Sequence, residues 1–292
     1  MPRVETIDEV ARFIVDLLRS DRDVTAAVGG MTGEGKSTFE WHLAVAVARQ
    51  LKAKFSMNNF TWSRRELLRW IDGEGKEHKG RLPEYSVIVP DELIFMFYKR
   101  RWFDDEQIEG VETFNTCRDR HLFVIGSCPS FWSLDSAFTS RVRYYIYIPK
   151  RGVAWVFQQE NNPFVINAWN ASLNMKWFRR QGNPYGLPNF VCEVLFRDWT
   201  PGEKAAYYEV RNRKRVTAKD EAHEGRDKHR DIKQQRDKAF RLAFKYCGHR
   251  KKGGEGMSIP EFADYFNMSE EMMRVILEGV SARFGKKRED EA

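Results

Sequence analysis

The chain has 292 residues, 42% hydrophobic and 31% charged, with a formal charge of +7 and a pI near 9.2. That size suits one large α/β domain with a small accessory one, and the excess of cations suits a polyanionic partner. No run of about 18 apolar residues occurs, which argues against a membrane span.

The N-terminal stretch, residues 1–22, reads as an amphipathic helix and lacks the basic start and unbroken apolar run of a signal peptide. Cys117, Cys128, Cys192 and Cys247 are scattered without a CxxC pair, which argues against zinc and for reduced thiols in a cytoplasmic setting.

Next comes "VTAAVGGMTGEGKSTFE", residues 24–40, where Gly29, Gly30, Gly33 and Gly35 crowd ahead of Lys36, Ser37 and Thr38. Glycine in such numbers costs backbone entropy, so the bare backbone serves a purpose. Residues 30–37 satisfy G-x-x-x-x-G-K-[ST] at every fixed place, between a β-prone run and a helical pattern. Backbone N–H groups of such a loop ring phosphate oxygens, and the following helix adds its positive end. Gly30, Thr32, Gly33, Glu34, Gly35, Lys36, Ser37 and Thr38 are therefore the candidate nucleotide-binding residues. Lys36 reaches the β- and γ-phosphates, and Ser37 is a candidate Mg²⁺ ligand.

"RRELLRWIDG" predicts a helix and "EGKEHKGRLPE" an exposed loop. "YSVIVPDE" then predicts a strand buried on both faces that ends at Pro90, followed by Asp91 and Glu92. Asp91 is a candidate metal ligand, and Glu92 a candidate base for the attacking water. A kinase must keep water out and needs no such glutamate, so the pair points to nucleotide hydrolysis. Glu92 could also simply open the next helix, where an acidic residue is favourable.

A helix around residues 105–119 precedes "HLFVIGSCPS", a second buried strand, placed beside the one carrying Asp91. Ser127 at its end is a candidate sensor of the γ-phosphate. Arg118, Arg120, Arg141 and Arg143 are candidates for a guanidinium donated to a neighbouring subunit's nucleotide, with Arg118 and Arg141 foremost. "RYYIYIPK" and "VAWVFQQ" read as further strands, and strands alternating with helices after such a loop argue for a mostly parallel sheet. Beyond residue 150 the pattern is aromatic and irregular, and it reads only as an appendage.

The loop "GMTGEGKST" resembles the G-x-T-G-x-G-K-S/T loop of the FtsK–HerA family of DNA-pumping ATPases, which includes viral genome-packaging ATPases. "VIVPDE" is similar to that family's Walker B motif, and the block "TCRDRHLFVIGSCPSFWSLDSAFTSRV" is similar to a stretch of these proteins and of zonula occludens toxin-like phage ATPases. The resemblance covers roughly residues 20–150. It implies an α/β P-loop NTPase of the additional-strand, catalytic-glutamate type, with ATP and Mg²⁺ as cofactors. It also implies double-stranded DNA as substrate and a homo-oligomeric ring, pentamer or hexamer, docked on a capsid, portal or other protein. The chain departs from the family at Ser127-Cys128-Pro129, where glutamine is usual; terminase-type motors end that strand with Ser/Thr and Pro.

"TPGEKAAYYEVRNRKRV" predicts a helix capped by Thr200 with Pro201 in its first turn. The expected organisation is an ATPase domain over 1–210, of which 151–210 is appended, then a charged linker or helix over 211–238 and a helical module over 239–292. "SIPEFADYFNMSEEMMRVILEGV" has the texture of a helix-turn-helix, though the acidic start of its second helix suits base reading poorly. The runs "RNRKRV" and "GHRKKGG" are better phosphate binders.

These observations predict an ATP-hydrolysing DNA translocase, a viral packaging motor without a nuclease domain, acting in the host cytoplasm. Two alternatives stand beside it: an AAA-like helicase-loader or transposition ATPase, and a nucleotide-switched DNA-binding regulator.

Overall fold

The computed structural model describes residues 3–97, 112–114, 118–160, 168–247 and 258–278. Two compact units divide the chain, Met1–Lys219 and Asp220–Ala292. The break lies inside the segment 211–238 expected as linker or helix, and that segment is helical throughout.

The larger unit is built on one eight-stranded sheet. Its strands are β1 (Val4–Glu5), β2 (Val24–Gly30), β3 (Phe60–Thr61), β4 (Val87–Pro90), β5 (Phe123–Ser127), β6 (Val142–Lys150), β7 (Val153–Gln158) and β8 (Phe190–Leu195). Their order across the sheet is β1-β8-β7-β6-β2-β5-β4-β3. Strand β7 is antiparallel to both of its neighbours, and every other pairing is parallel. Strand β5 therefore stands between the strand leading into the glycine-rich loop and the strand leading into Asp91. This is the mixed α/β, mostly parallel sheet expected of an additional-strand P-loop fold.

The helices of this unit are α1 (Ile7–Arg19), α2 (Lys36–Leu51), α3 (Arg64–Ile71), α4 (Ser136–Thr139), α5 (Ala171–Gln181) and the first part of α6 (Pro201–Cys247). Every residue of β2 is buried, and alternate side chains serve opposite faces. Ala26 and Val28 join a cluster with Ile14 and Leu18 of α1 and Phe39, Leu43 and Val47 of α2. Ala27 joins Leu67 and Ile71 of α3, Phe131 and Phe138 on the other face. Two apolar layers thus hold the sheet between them, which fixes the loop ends at its carboxyl edge.

The expected N-terminal helix is shorter than residues 1–22. Thr6 and Glu9 form a reciprocal capping box that starts α1 only at Ile7, and the preceding residues pair as β1 with Glu193 and Val194. The unassigned appendage supplies α5 and β8. Most of the helix expected around 105–119 lies outside the described residues, and Arg118–Arg120 form a short 3-10 turn.

In the smaller unit, Ser258 and Glu261 cap α7 (Ile259–Tyr265), and Ser269 accepts from the Met272 N–H at 3.3 Å at the start of α8 (Glu270–Glu278). Phe262, Ala263 and Met273 are its buried centre, with Phe240, Phe244, Met268 and Leu277 packed against them. Arg274 pairs with Glu270 at 2.6 Å, so the exposed start of α8 is internally charge-matched.

Candidate functional site

At the carboxyl end of β2 the chain turns through Gly30 with φ 138°, Gly33 with φ 90° and Gly35 with φ 94°, conformations that favour glycine. A Cβ on Gly30 would lie 2.7 Å from the Ile148 carbonyl oxygen, so this turn excludes any side chain. Gly35 is the N-cap of α2 and offers no side-chain cap, which leaves the first amides of the helix facing the loop. Lys36 Nζ donates to the carbonyls of Gly30 at 3.0 Å and Met31 at 2.9 Å, and so lies across the loop's mouth.

Asp91 follows β4 and is buried; its N–H donates to Thr61 at 2.9 Å. The Ser37 hydroxyl lies 3.4 Å from Asp91 Oδ1, and the Ser127 hydroxyl donates to the same oxygen at 2.7 Å. Glu92 has φ 71°, left-handed backbone unusual for a side-chain-bearing residue, and its N–H donates to Ser127 Oγ at 3.1 Å. Ser127 thus joins the Asp91 carboxylate to the Glu92 amide through one hydroxyl, which serves both as donor and as acceptor.

These groups line a cleft of about 500 Å³ with Thr32, Gly33, Gly35, Lys36 and Thr38. Of the expected loop residues, Gly30 shapes the turn from behind, and Glu34 is not part of the cleft wall. Gathered at one place are therefore Lys36, Ser37, Asp91, Glu92 and Ser127.

The arginines fall elsewhere. Arg141 and Arg143 line a separate cavity of about 390 Å³ with Asp23 and Leu122, at the amino ends of β2, β5 and β6 and so at the opposite edge of the sheet. Arg141 donates to the Phe114 carbonyl at 2.9 Å. Arg120 is buried and donates to the carbonyls of Ile71 and Leu82, a structural role. The side chain of Arg118 lies outside what is described.

One turn beyond Lys36, Glu40 is fully buried and neither carboxyl oxygen has a hydrogen-bond partner. Burial, and after it the charge of Asp91, pushes its pKa well above the carboxylate range, so it stands neutral. Burial also pushes the thiol of Cys128 up to about 12, which makes it an apolar packing group.

No family model matches this chain, and no curated protein matches it. Among solved structures, it is similar to the FIGL-1 AAA domain at 22% identity over 48% of this chain and 51% of that one, with a TM-score of 0.33. The genome packaging NTPase B204 from Sulfolobus turreted icosahedral virus 2, in complex with ATP-gammaS, matches at 12% identity over 47% of this chain and 92% of that one, TM-score 0.35. C. elegans PCH-2 matches at 15% identity over 49% of this chain and 42% of that one, TM-score 0.32. No residue role follows from likeness at this level. No helix among the described residues is long and apolar enough to cross a membrane.

The rest of the cleft wall comes from residues outside the sequence motifs, among them Arg151, Trp199, Lys204, Tyr207, Tyr208 and Arg211. Tyr207 is buried; its hydroxyl donates to Asp91 Oδ2 at 2.5 Å and lies 3.3 Å from Ser37 Oγ. Arg215 donates to Glu92 Oε1 at 2.8 Å, and Arg211 lies 4.0 Å from the same oxygen. Burial first, then the charge of Asp91, raises the Tyr207 phenol, which stays protonated. The available signal was the spacing of 207, 211 and 215, which puts all three on one face of a helix.

In the run "RNRKRV", two of the four cations, Arg213 and Lys214, are engaged within the protein rather than offered to a phosphate. Arg213 donates to Asn58 at 2.7 Å, and Lys214 donates to the carbonyls of Asn58 and Phe60 and pairs with Glu66 at 3.0 Å. "GHRKKGG" lies outside the described residues.

Proposed function

We propose that this protein hydrolyses ATP and spends the energy moving duplex DNA, as a ring-forming motor of the genome-packaging kind without a nuclease domain. One observation carries the reading: a hydroxyl and a carboxylate, Ser37 and Asp91, converge beside the glycine turn with a second carboxylate, Glu92, next in the chain. Loop amides and Lys36 would cradle the β- and γ-phosphates. The hard oxygens of Ser37 and Asp91 fit Mg²⁺, which when bound neutralises charge on the β- and γ-oxygens. Glu92 would accept a proton from water as the water oxygen attacks the γ-phosphorus and the bond to the bridging oxygen breaks.

The motor part rests on the resemblance of the loop and of "VIVPDE" to DNA-pumping ATPases and on the excess of positive charge. A guanidinium donated by a neighbouring subunit, from Arg118 or Arg141, belongs to the same reading. The test is ATP turnover with and without long duplex DNA, alongside the native mass of the assembly. The expected result is a rate that rises with DNA, falls back steeply with added salt, and vanishes in Lys36→Ala. A rate indifferent to DNA would favour a remodelling ATPase or a nucleotide switch, and undiminished turnover in Lys36→Ala would remove the loop from the chemistry.

A further inference from the structure

Tyr207, Arg211 and Arg215 recur every four residues, so they form one row along α6, and that row meets the cleft at its most reactive groups. The phenol lies against the two oxygens suited to the cation, Asp91 Oδ2 at 2.5 Å and Ser37 Oγ at 3.3 Å. Arg215 engages the carboxylate assigned as base, at 2.8 Å. Arg211 is held differently. Its guanidinium sits 6.0 Å from the ring centre of Tyr207 and 5.8 Å from that of Tyr208, its buried Nε has no hydrogen-bond partner, and its distance to Glu92 is 4.0 Å. A half-buried guanidinium so loosely paired, lining the same cleft as Lys36, is a group with capacity for an anion.

We infer that this row of α6 is a nucleotide-responsive positioning element: Tyr207 and a divalent cation compete for Ser37 and Asp91, while the terminal phosphate competes with Glu92 for Arg211 and Arg215. The inference rests on the proposed nucleotide site and adds to it the part supplied by α6. The competition follows from valence. The Asp91 oxygen that accepts from a phenol cannot at full strength also serve a cation, and Glu92 bonded to Arg215 is engaged before any water arrives. A triphosphate offers the two guanidinium groups a better partner than one carboxylate does, so its arrival releases Glu92 to take a proton. Tyr207 is a positioning residue here, whereas Arg211 and Arg215 exchange the Glu92 carboxylate for the terminal phosphate.

The row also carries its own reporter, since the ring of Trp199 stacks on Tyr207 with centres 5.3 Å apart. The experiment uses the full chain and a hydrolysis-resistant ATP analogue or ADP, each titrated with and without Mg²⁺. Binding is followed by calorimetry, and the ring pair by tryptophan fluorescence, with Trp199→Phe identifying its share. In Tyr207→Phe the gain in analogue affinity on adding Mg²⁺ should grow about tenfold, with Mg²⁺-free affinity unchanged. In Arg211→Ala the preference for the triphosphate analogue over ADP should shrink about tenfold, with ADP affinity unchanged. Trp199 fluorescence should shift when the parent protein takes the Mg²⁺-analogue complex. Unchanged Mg²⁺ gain or unchanged triphosphate preference, in variants that still bind nucleotide, would overturn the positioning row and leave the hydrolysis reading standing. Absence of any nucleotide binding by the parent chain would overturn both.

Discussion

Glu92 combines a left-handed backbone, a hydroxyl contact to its N–H and an arginine on its carboxylate, three constraints that aim it rather than merely accommodate it. Replacing it with glutamine keeps shape and removes the base. Turnover should fall by about 10²–10⁴-fold while nucleotide affinity stays, measured by phosphate release and calorimetry. Glu40 supplies a second test through pH. Its neutral form is favoured in the fold, whereas in the unfolded chain it ionises near its ordinary value of 4.5. The folded protein therefore holds the extra proton above that pH, and stability falls as pH rises toward the folded pKa. Glu40→Gln removes this penalty. The variant should match the parent in thermal melts near pH 4.5 and melt progressively higher than it as the pH rises above that value. The glycine turn and the Asp91-Glu92 pair were legible in the sequence because both are contiguous and their chemistry dictates residue type. Glu40 was not, because only packing reveals that a glutamate one turn into α2 has lost its water.

At the scale of elements, the start of α6 is held by one carboxylate. Glu203 accepts two bonds from Arg197 at 2.7 Å, the Thr200 N–H at 2.8 Å and the Trp41 indole at 3.1 Å. The Arg197 hydrogen bond, opposed in part by desolvation, holds its pKa far below the carboxylate range. The sign is opposite to that of Glu40: the stabilisation is complete above pH 4.5 and fades in acid as the carboxylate is protonated. Glu203→Ala should cost roughly 1–2 kcal/mol in denaturant titrations at pH 7, with the gap narrowing toward strong acid. Thr200 and Pro201 announced this helix in the sequence. What the helix touches was hidden, because a partner 170 residues away, as Ser37 is from Tyr207, leaves no local trace. The same limit explains why the appendage after residue 150 was unreadable: in β8 Cys192 and Val194 are buried because they face the cluster that α1 and α2 share, a contact made across distant parts of the chain.

On the scale of the whole molecule, the small unit has an apolar centre of its own beside the two layers about the sheet, which implies two separable losses of structure. Phe262 is 1% exposed and meets Phe244 and Phe266 edge-on, with ring centres 5.1 Å and 4.9 Å apart. Phe262→Ala should remove about 3–5 kcal/mol from the small unit, more than so few buried residues can spare. Limited proteolysis should then cut within 258–278 while nucleotide binding by the larger unit persists; loss of both together would show that the units melt as one. The sheet carries a further consequence. Among the described residues, the short stretch Arg3, Val4 and Glu5 seals the outer flank of β8, hydrogen-bonded along Glu193 and Val194. Strip them away and that row of amides and carbonyls becomes a template for any passing strand, so a shortened chain should aggregate beyond whatever defined assembly the intact one forms.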